Sequence, residues 1–260
     1  MSVYTDYGIR NKNDLRGNTM NKYKLAKDWT YQDAGDLALA EIAAGRLEYG
    51  EKFRINTVNM MIVRLFNTDI ICRKSKNTVN YSPVFVHNDF QGKMEGMTGI
   101  STNCKINTYC QERVNSSDPC CICKYCFACT TLKAYAGTDR LTAHNSEVLN
   151  AGIVPGEWLP IFKGFGRDVR FEAFGDLSTV FQVVNYFHIA AINPAHNFTL
   201  WTKNTWIIAN AFRLFPDLKK PDNLILIESS CMINNPGAKS YDFIDKVFHV
   251  ITAAYAEKHN

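Results

Sequence analysis

The chain has 260 residues, 46% of them hydrophobic and 21% charged, and its 29 Lys and Arg against 25 Asp and Glu leave a formal net charge of +4. This composition excludes a disordered chain, and the charge is too small to argue a nucleic-acid partner by itself. No run of 18 apolar residues occurs and Met1 to Arg10 lack the apolar core of an export signal, so no membrane association and a cytoplasmic location are expected.

In chain order, residues 1–30 read as a polar arm. Asp33 to Glu48 reads as an amphipathic helix on Leu37, Leu39, Ile42 and Leu47, stopped at Gly50. Phe53 to Phe66 reads as strand, and 73–103 as a polar loop leading into a cysteine-rich stretch. The segment Phe162-Lys163-Gly164-Phe165-Gly166-Arg167 holds a G-x-G, but it has no preceding strand and no third glycine, so it reads as a turn. Val169–Phe174 follows as a strand candidate. Ser178–Ile192 carries Val180, Val183, Val184, Phe187, Ala190 and Ala191 at helical spacing, with Ser178 as N-cap. Phe198–Trp201 reads as strand, Thr205–Phe215 as helix, and Leu224–Glu228 and Val247–Ile251 as strands. The strand candidates recur about one strand–helix unit apart, which predicts an α/β fold: a parallel, partial (βα) barrel-like sheet with a cysteine-rich cluster-binding loop. A single domain over 1–260 is expected, with the arm at 1–30, the cysteine segment at 94–135 and βα units over 165–256.

Seven of the nine cysteines fall between residues 104 and 129, and clustered thiols in a chain without an export signal read as metal or cluster ligands rather than disulfides. Two ligand sets compete. Cys120, Cys123, Cys126 and Cys129 form a ladder three apart, resembling part of a ferredoxin run but without its fourth spacing or following proline. On one straight helix, four such thiols do not surround one metal. Cys104 and Cys110, joined to the C-x2-C pair Cys123 and Cys126, can close a four-thiolate site from two loop ligands and one knuckle, and this set is preferred. Spacing leaves zinc and iron–sulfur open. The C-x3-C-x2-C signature of radical S-adenosylmethionine proteins is absent.

Several stretches carry a resemblance. They are Gly96-Met97-Thr98-Gly99-Ile100-Ser101-Thr102-Asn103-Cys104, Tyr109-Cys110 and Cys123-Lys124-Tyr125-Cys126-Phe127-Ala128. Further on come Phe171-Glu172-Ala173-Phe174-Gly175-Asp176-Leu177, Ile192-Asn193-Pro194, Leu200-Trp201-Thr202-Lys203-Asn204, Pro221-Asp222-Asn223-Leu224 and Asp245-Lys246-Val247-Phe248. Together they resemble the phage and bacterial gene product eighty-eight group, over about residues 94 to 256. The resemblance implies a partial barrel similar to radical S-adenosylmethionine barrels, beside a cysteine-held cluster, and no established reaction. By that match Cys104, Cys110, Cys123 and Cys126 carry over as ligands, while Cys120, Cys121 and Cys129 do not. It also implies a further cysteine-containing segment after the last strand, where this sequence ends at Asn260.

Sites in parallel sheets gather at the C-terminal ends of strands. That rule selects Glu172, Asp176, Trp201, Thr202, Lys203, Glu228, Ser229, Ser230 and His249. Glu172, Asp176 and Lys203 are the candidate catalytic residues: a buried carboxylate as general base, and Lys203 to hold an anionic ligand or pair with either acid. The plainer reading is that these groups cap the next helix or satisfy loop backbone. No histidine has metal-ligand spacing. His188 reads as a helix-face residue, His144, His196 and His259 as solvent-facing, and His87 as a candidate to approach the cysteines. Basic and aromatic residues interleave at Lys105, Tyr109, Arg113, Lys124, Tyr125, Phe127, Lys133, Tyr135 and Arg140, but Glu112, Asp118 and Asp139 dilute them toward a solvated face.

The leading expectation is a phage or bacterial iron–sulfur protein holding a [4Fe–4S] cluster on Cys104, Cys110, Cys123 and Cys126. It would have redox or radical-type chemistry at the strand ends and a small-molecule or electron-transfer partner. The rival is a zinc-stabilised binding module, for nucleic acid among other partners, without catalysis. A third reading is an enzyme whose cysteines are structural.

Overall fold

The computed structural model describes residues 72–88, 90, 92–164 and 168–259. The polar arm, the helix expected at Asp33–Glu48, the strand expected at Phe53–Phe66 and residues 165–167 of the G-x-G stretch lie outside them. The chain divides after Cys72, and everything below concerns the unit that begins at Arg73.

Five strands form one sheet: β1 (Thr98–Ile100), β2 (Asp168–Phe171), β3 (Asn197–Thr202), β4 (Leu224–Ser229) and β5 (Lys246–Phe248). They lie side by side in chain order, and every neighbouring pair is parallel. In register, Ile100 stands opposite Phe171, Phe171 opposite Leu200, and Leu200 opposite Leu226. Parallel neighbours need a crossover between them. The β1–β2 crossover holds α1 (Thr108–Val114), a 3-10 turn (Ile122–Tyr125), α2 (Phe127–Ala134) and α3 (Ala136–Ala151). α4 (Val180–Ala191) joins β2 to β3, and α5 (Thr205–Leu214) joins β3 to β4. The β4–β5 connection carries no helix among the described residues, and α6 (Ala253–His259) follows β5.

The expected α/β class and parallel sheet are therefore observed, with one strand more than the sequence pattern showed. β1 lies inside the stretch read as loop. It has three residues, Thr98-Gly99-Ile100, all buried, too few to display an alternation and with a glycine at the centre. β5 begins at Lys246 and ends at Phe248, earlier than expected. The N-cap of α4 is Thr179 rather than Ser178: the Thr179 side chain accepts from the Gln182 N–H. Ser178 instead donates its hydroxyl to Asn150 and Gln182.

The core sits between the sheet and α4. Phe171 stacks on Tyr186 at 4.2 Å and on Phe198 at 5.2 Å between ring centroids. α4 also buries Val183, Val184, Phe187 and Ile189, each such side chain contributing roughly 1.5–3 kcal/mol. Buried asparagines close the irregular backbone around this core. Asn145 bonds both backbone groups of Phe85 and the Ser101 carbonyl, and Asn185 bonds the Leu149 and Gly152 carbonyls and the Val154 N–H.

Two histidines expected at the surface are inside. His144 is 9% exposed, stacks on Phe85 at 4.1 Å and bonds the Pro83 carbonyl. His196 is 3% exposed and packs against Phe162. Both sit among polar neighbours in sequence, and the faces they occupy are buried polar faces that no apolar period marks. His259 is exposed as expected, and His188 lies on α4.

Candidate thiol and strand-end site

The first three strands end in polar loops that the parallel register sets side by side: Ser101 to Cys104 after β1, Glu172 to Asp176 after β2, and Lys203 after β3. Glu172 leaves β2 in a left-handed conformation, φ 58°, which turns its carboxylate back into the protein. It is 3% exposed and fully occupied. Thr102 donates its N–H at 3.2 Å and its hydroxyl at 3.0 Å, and the Gln182 amide and Tyr186 hydroxyl also donate to it. Burial, reinforced by the Asp176 charge, pushes this carboxyl up to about 7 despite those bonds. Gly175 is required beside it: a Cβ there would stand 2.6 Å from the Thr102 carbonyl oxygen and against the Glu172 carboxylate.

Asp176 is also buried and also engaged. It accepts from the Thr202 hydroxyl, from the Lys203 N–H at 3.1 Å and from the Leu177 N–H at 2.8 Å. The plainer reading of the two acids therefore describes them well, since both tie loop backbone together. Lys203 forms no ion pair with either among the described residues, whose ion pairs are Lys105–Asp139 and Lys220–Asp245. Its ammonium is nevertheless held above its ordinary value. Burial opposes the charge, and Asp176 with the thiols of Cys123, Cys231 and Cys126 outweighs it.

The thiols form two groups. In the first, Cys104 is 2% exposed and packs with Ala128, Cys129, Leu132, Ala173 and Phe174, while Cys110 and Cys126 lie against the same cluster. Its N–H bonds the Phe174 carbonyl at 3.3 Å. Cys110 is placed by Asn107, the N-cap of α1, which accepts from the Cys110 N–H and donates its amide to the Asp176 carbonyl at 2.8 Å. Cys126 is the N-cap residue of α2. A hydrogen bond from the Cys104 thiol lowers Cys126 to about 6, with help from the Cys129 and Ala128 N–H groups and from Lys203, against burial. Donating that proton, together with burial, pushes Cys104 up, and burial with Asp176 and Glu172 pushes Cys110 up.

Cys123 belongs to the second group. The 3-10 turn that joins it to Cys126, closed by a Cys126 N–H to Cys123 carbonyl bond of 3.1 Å, directs its thiol to Cys231. Of the four expected ligands, the structure thus brings Cys104, Cys110 and Cys126 together and turns Cys123 away. Of the three extra cysteines, Cys129 is buried against the first group, Cys121 is buried with its thiol on the Arg113 carbonyl at 3.5 Å, and Cys120 is exposed. Among the described residues, no three His, Cys, Asp or Glu side chains are spaced to hold a single metal ion.

Cys231 is the participant that the sequence reading missed. As an isolated cysteine it has no spacing to reveal it. It stands two residues past the end of β4, so the strand-end rule that selected Ser229 and Ser230 stopped one residue short.

Of the other strand-end candidates, all but His249 have structural partners. Trp201 packs on Phe248 at 5.1 Å and under the Arg170 guanidinium at 4.7 Å. Glu228 accepts from the Ser240 N–H and hydroxyl, and Ser230 bonds the Met232 carbonyl. Ser229 ends β4, opposite Phe248. Nδ1 of His249 is buried without a partner among the described residues. His87 does approach the first group, with its ring 5.4 Å from that of Phe174, and burial lowers it to about 4. The basic and aromatic residues do not share one face. Tyr125, Phe127 and Tyr135 are exposed, whereas Tyr109 is turned inward, its hydroxyl bonding the Lys203 carbonyl at 2.8 Å, and Lys105 is paired with Asp139.

No helix among the described residues is long and apolar enough to cross a membrane. Comparison of the chain with protein-family models, curated proteins and solved structures finds no match.

Proposed function

We propose that this protein carries an iron–sulfur cluster on Cys104, Cys110 and Cys126, at the C-terminal edge of a partial barrel-like parallel sheet. The observation that carries the reading is the first thiol group itself. Three soft donors from three different segments converge at the strand ends, and one of them, at the start of α2, is lowered by the thiol beside it. A single zinc ion needs every sulfur within about 2.3 Å of one point. A cluster spreads its thiolates over several irons, so it suits donors that converge without single-ion spacing. Lys203 supplies positive charge beside this anionic group.

Bound there on three thiolates, a cluster would supply a redox centre with one iron open to a small-molecule ligand. Glu172 and Asp176 position the loops that present the thiols. Lys203 is the polar group left to meet an anionic substrate or an electron-transfer partner's acidic surface.

A second reading has one observation in its favour. The 3-10 turn from Cys123 to Cys126 has the compact form of a C-x2-C knuckle, which suits a zinc-stabilised binding module. Anaerobic purification with iron, sulfide and zinc analysis separates the two. The cluster reading expects about four iron and four sulfide per chain with visible absorption. It expects both to be lost in C104S, C110S and C126S. One zinc and no iron would overturn it in favour of the second reading.

A further inference from the structure

Two segments far apart in sequence meet beside the proposed cluster site. Residues 120–122 run antiparallel to 231–233, with a bridge between Cys121 and Met232. The Ile122 N–H bonds the Cys231 carbonyl at 2.9 Å, and the Ile233 N–H bonds the Cys120 carbonyl at 2.8 Å. Ile122 therefore sits directly across from Cys231, where antiparallel Cα atoms are about 4.5–5.5 Å apart. The 3-10 turn begins at that point and carries the next residue, Cys123, with its thiol toward the Cys231 sulfur. The Tyr109 hydroxyl lies 3.7 Å from the Cys231 sulfur, and the Arg113 guanidinium packs 3.8 Å from the Tyr109 ring centroid. Both thiols are partly exposed.

We infer that Cys123 and Cys231 are a redox-active dithiol that closes to a disulfide, clipping the loop after β4 to the cysteine-rich crossover. The oxidant is hydrogen peroxide. The Cys231 sulfur attacks one peroxide oxygen, the O–O bond breaks, and hydroxide leaves and takes up the thiol proton as water. Cys231 is then a sulfenic acid. The Cys123 sulfur attacks it, the S–S bond forms, the S–OH bond breaks, and that hydroxyl leaves with the Cys123 proton as a second water. The two thiols lose two electrons in total and the peroxide gains them. A thiol-based reductant reverses the change by exchange. Disulfides of this kind in reducing compartments are transient and signalling rather than structural.

The pairing requires Cys123 to be free of metal, and in every other respect it is independent of the cluster reading. The test is peroxide treatment of the full-length protein, both as purified anaerobically and after metal removal. Intact mass follows, then peptide mapping without reduction, with iron and zinc measured on the same samples. The expected result is a Cys123–Cys231 cross-linked peptide in both samples, reversed by dithiothreitol and reduced to background in C231S, with C231S keeping the wild-type metal content. Alkylation of the folded wild-type protein gives a variant-free readout: peroxide should protect Cys123 and Cys231 together and leave Cys120 reactive. Absence of the cross-link in both samples, or a link from Cys123 to another cysteine, overturns the inference. So does loss of metal in C231S, which would make Cys231 a ligand. Absence of iron from a protein that still forms the cross-link sinks the cluster reading alone.

Discussion

The carboxylate network at the ends of β1–β3 and the thiol groups beside it differ in how much of their bonding capacity the protein itself consumes. Glu172 and Asp176 are the groups that strand-end logic picks out first, and both are held by several donors of the protein: Thr102, Gln182 and Tyr186 on Glu172, and Leu177, Thr202 and Lys203 on Asp176. The thiols of Cys104, Cys110 and Cys126 have each other, with Cys104 donating to Cys126, and an ammonium nearby. A buried acid whose oxygens are engaged by the surrounding backbone and side chains sets loop positions. A set of soft donors with spare capacity is what a ligand needs. The acids are thus framework, and under the proposed function the thiols are the site that the framework presents.

That contrast breaks most easily at Glu172. In E172A the Thr102, Gln182 and Tyr186 donors lose a shared acceptor inside the protein, at about 1–3 kcal/mol for each group left unpaired. Denaturant unfolding should show a loss of about 3 kcal/mol or more. The same residue predicts a pH dependence. Its carboxyl lies at about 7 in the folded chain against an ordinary 4.5, so the folded state binds the proton more tightly than the unfolded one. The associated stability is fully present below about 4.5 and is lost as pH rises to about 7. Thermal unfolding between these limits should show that decline in the wild type and a flattened profile in E172Q.

G175A probes the same network sterically. The added methyl meets the Thr102 carbonyl and the Glu172 carboxylate, and overpacking of this kind costs about 1–3 kcal/mol. The smallest effect is expected at T179A, which removes the N-cap of α4 and should cost about 1 kcal/mol by denaturant titration, with no change in metal content.

Much of the second half of the fold was legible because its units are long enough to show their period. α4 places Val183, Val184, Phe187 and Ala190 on one buried face, and β3 alternates buried and open positions along Asn197–Thr202. β1 was not legible, since three buried residues show no period and the strand is defined by its pairing with β2. The burial of His144 and His196 was hidden for a related reason: polar side chains are accepted inside by partners, such as the Pro83 carbonyl, that lie far away in sequence. The thiols were legible as a cluster but not in their grouping. Cys123 and Cys126 share one C-x2-C turn, yet the turn sends them to different neighbours, and the neighbour of Cys123 lies beyond β4.

The most direct test pairs one variant from each region, measuring metal content and thermal stability together in C126S and E172Q after anaerobic purification. With the cluster on the thiols, C126S should lose its iron while its metal-free form melts close to metal-free wild type. E172Q should keep wild-type iron and sulfide per folded chain and melt lower at pH 5. Iron retained in C126S, or iron lost from folded E172Q, would contradict the division into a framework of acids and a site of thiols.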